Sequence, residues 1–117
     1  CDAQASVIAM IEDPEAVDAI EEIVAVDGLD AVFIGRGDLT VAYGAPTPVA
    51  DEVNNAVLKI IEAAKAAGTA ILTVSPGGED AKRLVDLGVS GLIVASDQGF
   101  MAQAAGKCLA DLRQLSE

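Results

Sequence analysis

Residues 31–38 read AVFIGRGD, four apolar residues that run directly into a turn with two glycines, an arginine and an aspartate. A short, continuous apolar run of this kind is typical of a strand that is buried in a parallel sheet. Gly28 stands just before the run, where a glycine commonly ends a preceding helix. The segment therefore predicts a strand that enters from a helix and ends in a polar, glycine-rich turn.

The same order of strand and helix repeats along the chain. Further apolar runs at 7–11, 70–74 and 91–95 predict three more strands, and a helical stripe follows in each unit. The stripes consist of Val17, Ile20 and Val24; of Val53, Val57, Ile60, Ile61 and Ala64; of Ala81, Leu84 and Val85; and of Met101, Ala104, Ala105, Cys108, Leu109 and Leu112. The chain thus has four consecutive β/α units.

Local signals mark helix ends and one long loop. Asp13-Pro14 predicts an N-cap followed by proline in the first turn, and Asp97 is predicted to cap the last helix. Gly68 and Gly88 are predicted to end the second and third helices. The connection from Leu39 to about Asp51 contains two prolines and breaks both periods, so it is predicted to be a loop.

Four β/α units build an α/β fold, either half of a TIM (β/α)8 barrel or an open doubly wound sheet. Polar residues gather where the predicted strands end, and a barrel builds its site from several strand ends at one mouth, so we favour the half-barrel. Residues 1–117 are expected to form one domain of this kind. Because helices cover only one face of such a sheet, its apolar inner face needs a partner.

The composition narrows the range of partners. The chain has 7 Lys and Arg against 19 Asp and Glu, a net charge of -12, so nucleic acid and anionic lipid are not expected partners. No apolar run approaches the ~18 residues of a membrane span, and no signal peptide is recognised. Cys1 and Cys108 lack the spacing of a metal site and point to a reducing cytoplasm. The first residue is Cys rather than Met, which indicates a fragment.

Two carboxylates follow the first two predicted strands. Glu12 ends the first strand, and Asp38 lies four residues beyond Ile34, the last residue of the second. Neighbouring strands are ~4.8 Å apart, so both side chains reach one cation, and Mg²⁺ or Mn²⁺ is commonly held by one or two carboxylates. The plainer interpretation is that Glu12 caps a helix and Asp38 is one of nineteen scattered acids. Glycoside cleavage by the pair is disfavoured because the chain has only three aromatic residues.

Other residues at the strand ends bear on the type of chemistry. Gly35-Arg36-Gly37 allows backbone N–H groups to converge on an anion such as a substrate carboxylate, although Gly-x-Gly is a common pattern. The turns 75–78 and 96–99 lie where many barrels bind phosphate, or are ordinary turns. Every lysine falls in a predicted helix, so a carbon-carbon lyase of this sequence is expected to use metal rather than a Schiff base. The chain contains no histidine, the commonest general base.

These residues resemble a known family. Segments 10–17 (MIEDPEAV) and 28–40 (GLDAVFIGRGDLT), together with Tyr43-Gly44, are similar to the HpcH/HpaI aldolases, which are metal-dependent pyruvate aldolases of the phosphoenolpyruvate- and pyruvate-binding barrels. The resemblance covers essentially all 117 residues, as the C-terminal half of such a TIM barrel.

The resemblance also implies roles for individual residues. Glu12 and Asp38 would ligate a divalent metal, Mg²⁺, Mn²⁺ or Co²⁺. The backbone amides of Gly37 and Asp38 would hold the pyruvate carboxylate, and Leu72 would line the pocket of the pyruvate methyl group. The implied reaction is the reversible cleavage of a 4-hydroxy-2-oxo acid to pyruvate and an aldehyde.

The implied partners are the 2-oxo acid substrate, the N-terminal half of the barrel and further copies in a homo-oligomer. The N-terminal half supplies the family's histidine-aspartate base pair and its keto-binding arginine, so this chain alone is expected to hold an inactive half-site. Met10 departs from the glutamine of many members, and Arg36-Gly37 replaces their Pro-Ala. The alternatives are a citrate-lyase-like or pyruvate-kinase-like relative, or a non-catalytic half-barrel that self-associates.

Overall fold

The computed structural model describes residues 4–115, which form one sheet of four parallel strands with helices packed on it. Cys1 lies outside the described residues. The elements in chain order are β1 (Ile8–Ile11), α1 (Pro14–Asp18), α2 (Ile20–Val24), β2 (Ala31–Ile34), α3 (Arg36–Ala42), α4 (Asp51–Ala67), β3 (Ala70–Val74), α5 (Gly78–Leu87), β4 (Gly91–Ile93) and α6 (Asp97–Gln114). The four predicted strands are confirmed, with β1 and β4 slightly shorter than the apolar runs that predicted them.

The strand order decides between the two architectures that the sequence left open. The strands lie in the sequential order β1-β2-β3-β4, and every neighbouring pair is parallel. A doubly wound sheet reverses its strand order at a switch point and carries helices on both faces. Here α1 to α5 all contribute to one core on one side of the sheet. The buried residues of that core include Val17, Ile20, Leu39, Val53, Leu84, Ile11, Val32, Ile34 and Ile71. This is the arrangement of a partial barrel.

The two faces of the sheet differ because side chains alternate along each strand. Ile11, Ile34 and Ile71 point into the helical core and are at most 1% exposed. On the opposite face, Met10 pairs with Phe33, and Met10 is 53% exposed. That open face also carries Ile8, Val74 and Ile93, each about half exposed. The predicted apolar inner face is therefore present in the described part of the chain.

Most helix ends lie where the local sequence predicted them, but the first predicted helix is interrupted. Asp13 is the N-cap of α1, and its Oδ1 accepts a hydrogen bond from the backbone N–H of Ala16 at 2.8 Å. Gly68 and Gly88 end α4 and α5 in the left-handed conformation, with φ of 74° and 113°. The first predicted helix is instead two five-residue helices, because Ala19 leaves the helical conformation with ψ of 11°.

Two further local predictions were wrong. The predicted loop from Leu39 contains most of α3, which is anchored by the fully buried side chain of Leu39. A single apolar anchor in a seven-residue helix produces no period that a sequence window detects. The last helix is capped by Ser96 rather than Asp97, since Ser96 Oγ accepts from the N–H of Gly99 at 3.0 Å.

The last helix, α6, stands apart from the core. None of its described side chains is buried, and Cys108 on this helix is a free, exposed thiol. The apolar stripe expected on one face is exposed, as in Phe100 and Met101 at 55% and 65%. The packing of this stripe within the chain, which the sequence favoured, is therefore absent among the described residues. Within residues 4–115, no helix is long and apolar enough to cross a membrane.

Candidate functional site

The two predicted metal ligands lie at the same edge of the sheet. Glu12 directly follows β1, and Asp38 lies in the first turn of α3, which begins two residues after the end of β2. Because β1 and β2 are paired and parallel, their carboxyl ends emerge side by side. Both carboxylates are exposed to solvent. The fold thus brings to one edge two residues that are 26 positions apart in sequence.

Gly35 is the point at which the two strand ends meet. Its N–H donates to the carbonyl oxygen of Ile11 at 2.9 Å, which continues the β1–β2 ladder by one residue. A Cβ placed on Gly35 would lie 2.9 Å from Cβ of Glu12 and 3.5 Å from its Cα. Real Cβ atoms essentially never approach so closely, so glycine is required for this contact. The close approach fixes Glu12 against the chain that leads to Asp38.

The glycine-rich turn leads directly into α3. The N–H of Leu39 donates to the carbonyl oxygen of Gly35 at 2.9 Å, and Thr40 Oγ1 donates to that of Arg36 at 2.6 Å. The backbone N–H groups of Gly37 and Asp38 therefore lie in the first turn, where helical N–H groups have no partner within the helix. The sequence predicted that a substrate carboxylate binds at this turn.

A cleft of about 380 Å³ opens beside Asp38. It is lined by Phe33, Ile34, Gly35, Arg36, Gly37, Asp38, Pro48, Val74 and Pro76. Its size is at the lower end of the range of small-molecule sites. A larger groove of about 460 Å³ is lined by residues of α2, Ala25 and α4, none of which follows a strand, so the cleft at the strand edge is the better candidate.

Leu72 and Met10 lie on the open face of the sheet rather than in this cleft. Leu72 is half-buried on β3, opposite Phe33 on β2 and Gly91 on β4. A Cβ on Gly91 would lie 3.1 Å from the Leu72 side chain, so the glycine makes room for it. Among the described residues, neither Leu72 nor Glu12 lines the cleft. The structure thus brings Gly37 and Asp38 together in the cleft, with Glu12 and Leu72 on neighbouring positions of the same sheet.

A partly buried ion pair at the start of α3 was not predicted from the sequence. Arg36 is 9% exposed, and its Nη1 and Nη2 donate to Asp80 Oδ1 and Oδ2 at 2.9 and 2.7 Å. Arg36 Nη2 also donates to the carbonyl oxygen of Val74 at 2.6 Å, and Ser75 Oγ donates to Asp80 at 2.8 Å. Arg36 and Asp80 are 44 positions apart, so no local pattern pairs them. Ser75, considered part of a turn, is fully buried.

This ion pair changes the electrostatics of the edge. The hydrogen bond from Arg36 lowers the pKa of the Asp80 carboxyl below its usual value, and the hydrogen bond from Ser75 and the charge of Arg83 act in the same direction. Partial burial of Asp80 opposes this by raising the pKa. Asp80 is therefore an anion at neutral pH and neutralises the one guanidinium that is buried within residues 4–115.

The donor set suits a hard divalent cation. Within residues 4–115, no group of three or more His, Cys, Asp and Glu side chains is placed to hold a metal ion. Two carboxylates at one edge fit Mg²⁺, which keeps several waters and takes one or two protein carboxylates together with oxygens of the substrate. The sequence supplies no histidine and no clustered cysteine, which are the usual zinc ligands besides carboxylates. All described lysines lie in helices, as predicted.

The chain is similar to known proteins over nearly its full length. A hydroxypyruvate/pyruvate aldolase from Delftia acidovorans is 40% identical over 103 residues, which cover 87% of this chain and 38% of the relative. A 5-keto-4-deoxy-D-glucarate aldolase from Enterobacter sp. is 36% identical over 110 residues, or 91% of this chain and 41% of the relative. The chain thus spans less than half the length of these curated relatives.

A solved structure and a family model agree with these relatives. The structure of the citrate synthase SbnG superposes with a TM-score of 0.88 and 32% identity, covering 98% of this chain and 47% of that one. Its match to about half of a solved chain fits the partial barrel described above. The family model for HpcH/HpaI aldolase/citrate lyase matches residues 2–104. The chain therefore belongs to the HpcH/HpaI aldolase/citrate lyase family.

Proposed function

We propose that this chain supplies the metal-binding and carboxylate-binding half of a carbon-carbon lyase that cleaves a 4-hydroxy-2-oxo acid to pyruvate and an aldehyde. The observation that carries the proposal is the contact at Gly35, which holds Glu12 beside the turn that leads to Asp38. The name of the Delftia acidovorans relative supports a pyruvate aldolase, and that of the Enterobacter relative supports cleavage of a longer oxo acid.

In this proposal each residue has a defined task. The carboxylates of Glu12 and Asp38 hold Mg²⁺, Mn²⁺ or Co²⁺, and the N–H groups of Gly37 and Asp38 donate to the substrate carboxylate. A divalent cation held by these carboxylates would polarise the 2-oxo oxygen and would stabilise the negative charge that develops there when the carbon-carbon bond breaks. Leu72 contacts the methyl carbon of the pyruvate unit from the open face of the sheet.

The rest of the machinery lies outside this chain. The sequence has no histidine to act as the base, and the inner face of the sheet is open in the described residues. We propose that the N-terminal half of the barrel covers this face, supplies the base and the keto-binding arginine, and completes a protein that assembles into a homo-oligomer. The chain by itself is then a half-site without turnover.

One finding favours a second candidate. The citrate synthase SbnG matches with 32% identity over 98% of this chain. Its name indicates the synthesis of citrate, in which a carbon-carbon bond is formed rather than cleaved. Two incubations of the complete protein distinguish the activities, with mass spectrometry of the products as the readout. Pyruvate with a panel of aldehydes tests for the aldolase, and oxaloacetate with an acyl thioester tests for the citrate-forming enzyme.

Calorimetric titration with oxalate tests the proposal. Oxalate mimics the pyruvate enolate, so the protein in its full natural length is expected to bind it with Mg²⁺ or Mn²⁺ present and not after chelation. Asp38→Ala is expected to abolish the metal-dependent binding, because it removes one of two ligands. Asp18→Asn is the matched control, since Asp18 is a carboxylate that is 84% exposed and pairs with Lys59. Equal binding by Asp38→Ala and Asp18→Asn would contradict the site assignment.

A further inference from the structure

Arg36 occupies an unusual position for a charged side chain. It is 9% exposed, and it is the one charged residue among the buried side chains of residues 4–115. Burying a guanidinium is costly unless it is paired and hydrogen-bonded. Its Nε is also buried without a hydrogen-bond partner in the described structure. The role of such a buried, partly unsatisfied charge therefore requires an explanation.

The contacts of Arg36 connect two neighbouring β/α units. Its backbone is the first residue of α3, one position before Gly37 and two before Asp38. Its side chain reaches the carbonyl oxygen of Val74, the last residue of β3, at 2.6 Å. The same guanidinium binds both carboxylate oxygens of Asp80, in the first turn of α5, at 2.9 and 2.7 Å.

The far end of this connection is itself held by further hydrogen bonds. Ser75 Oγ donates to Asp80 Oδ2 at 2.8 Å, and the N–H of Ser75 donates to the carbonyl oxygen of Ile93 at 3.0 Å. The Asp80 carboxylate is therefore held from two sides, and Ser75 links it to β4. A bidentate arginine-carboxylate pair fixes the angle between its partners as well as their distance. Arg36 thus holds the start of α3 in one orientation relative to the ends of β3 and β4.

We infer that Arg36 is a positioning residue, which acts with Asp80 to hold the turn carrying Gly37 and Asp38 in the orientation that binds metal and substrate carboxylate. The inference rests on the proposed function and adds to it a pair of residues that acts through this turn, with Arg36 also lining the same cleft as Asp38. Gly35 lies against Glu12, and the ion pair of Arg36 with Asp80 anchors the first residue of the helix that carries Asp38. Groups that orient metal ligands in this way typically contribute 10–100-fold to affinity or activity.

The central experiment removes the pair without changing the net charge. Arg36→Met with Asp80→Asn in the same protein deletes one positive and one negative charge, so long-range attraction of an anion is unaltered. The matched control is Lys59→Met with Asp18→Asn. It deletes an exposed ion pair, in which Lys59 Nζ and Asp18 Oδ1 are 2.9 Å apart, and this pair does not lie at the strand ends. Arg36→Lys is the conservative variant, since one ammonium cannot reproduce the forked contact with Asp80 and the bond to Val74 together.

The readouts separate positioning from stability. The protein in its full natural length is titrated with Mn²⁺ alone, and then with oxalate at saturating Mn²⁺, at a temperature at which circular dichroism shows every variant to be folded. The double variant is expected to raise the dissociation constant of oxalate at least about tenfold. Arg36→Lys is expected to give a smaller increase, and the control pair to stay within about twofold of the unaltered protein.

Each outcome has a distinct meaning. A folded Arg36→Met/Asp80→Asn variant with unaltered oxalate affinity would overturn the inference and leave the proposed function standing. If that variant does not fold, Arg36→Lys decides: weaker oxalate binding supports the inference and unaltered binding overturns it. An unaltered protein that shows no metal-dependent oxalate binding would overturn the proposed function, and this inference with it.

Discussion

Substitution of Gly35 by alanine tests the contact on which the site depends. The backbone of Gly35 has φ of -83°, which alanine adopts without strain, so any effect comes from the added methyl group. That methyl carbon would lie 2.9 Å from Cβ of Glu12 and 3.5 Å from the carbonyl oxygen of Ile11. Optimal separations between carbon atoms are about 3.5–4.0 Å. The two chains must therefore move apart by roughly 0.6–1.1 Å.

Two magnitudes follow from this displacement. Overpacking at a well-packed position typically costs about 1–3 kcal/mol, and the atom that Gly35→Ala meets is a Cβ next to the backbone, which has little freedom to turn away. We therefore expect the free energy of unfolding to fall by that amount. The displaced carboxylate is Glu12, and a misplacement of about 1 Å costs on the order of 100-fold in a positioned site. Metal-dependent oxalate binding should weaken accordingly.

Urea denaturation followed by circular dichroism measures the first effect, and calorimetry with oxalate measures the second. Gly37→Ala is the matched control for stability, because the Cβ it would add has no described atom within 4 Å apart from its chain neighbours and the backbone of its own helix. In the first turn of α3 this alanine is expected to be neutral or to stabilise by up to about 1 kcal/mol. If Gly35→Ala unfolds at the same urea concentration as Gly37→Ala, the close approach at Glu12 is not a constraint and the reasoning fails.

Three further predictions concern the elements that support the edge. Thr73→Val should lower the free energy of unfolding by about 0.5–1.5 kcal/mol in urea melts, because buried Thr73 Oγ1 donates to the carbonyl oxygen of Ile34 at 2.9 Å; unchanged stability would contradict this bond. Asp13→Ala should cost about 0.5–2 kcal/mol through loss of the α1 cap, and a helix content and melting temperature equal to those of the unaltered protein would refute it. The pKa of Asp80 in the folded protein lies below its value in the unfolded chain because of the hydrogen bond from Arg36. The ionised Asp80 carboxylate therefore stabilises the fold fully at pH values above the unfolded pKa, and this contribution is lost as pH falls through the folded pKa. The difference in stability between the unaltered protein and Asp80→Asn should therefore shrink on acidification below about pH 4, and a difference that is independent of pH would be the contrary result.

Chemistry that is local in sequence was predicted from the sequence. Continuous apolar runs predicted the four strands, because strands of a parallel sheet are typically buried on both faces. The N-cap at Asp13 follows from its side-chain carboxylate, and the end of α4 at Gly68 follows from the lack of a side chain there. The placement of Glu12 and Asp38 at one edge was also predictable, since parallel strands present their carboxyl ends together. Their roles as metal ligands, and those of Gly37 and Leu72 toward the substrate, stay predictions.

Short or isolated elements were not predictable in the same way. The helix α3 was read as loop because seven residues with one buried anchor, Leu39, carry no period. The stripe on α6 was expected in the core, but a period shows only that one face is apolar and not what covers it. The half-barrel and the doubly wound sheet have the same local pattern, and they differ only in strand order and in the side on which helices pack.

The sequence by itself therefore determined the β/α units, the family, and the edge at which Glu12 and Asp38 stand. Only the tertiary structure decided which distant groups meet there. Glu12 lies against Gly35, and Arg36 is bonded to Asp80, 44 positions further along the chain. The physical reason is that strand and helix signals come from interactions over a few residues, whereas a close approach or a buried ion pair exists only after the units pack together. Those contacts set the geometry of the edge at which Glu12 and Asp38 stand.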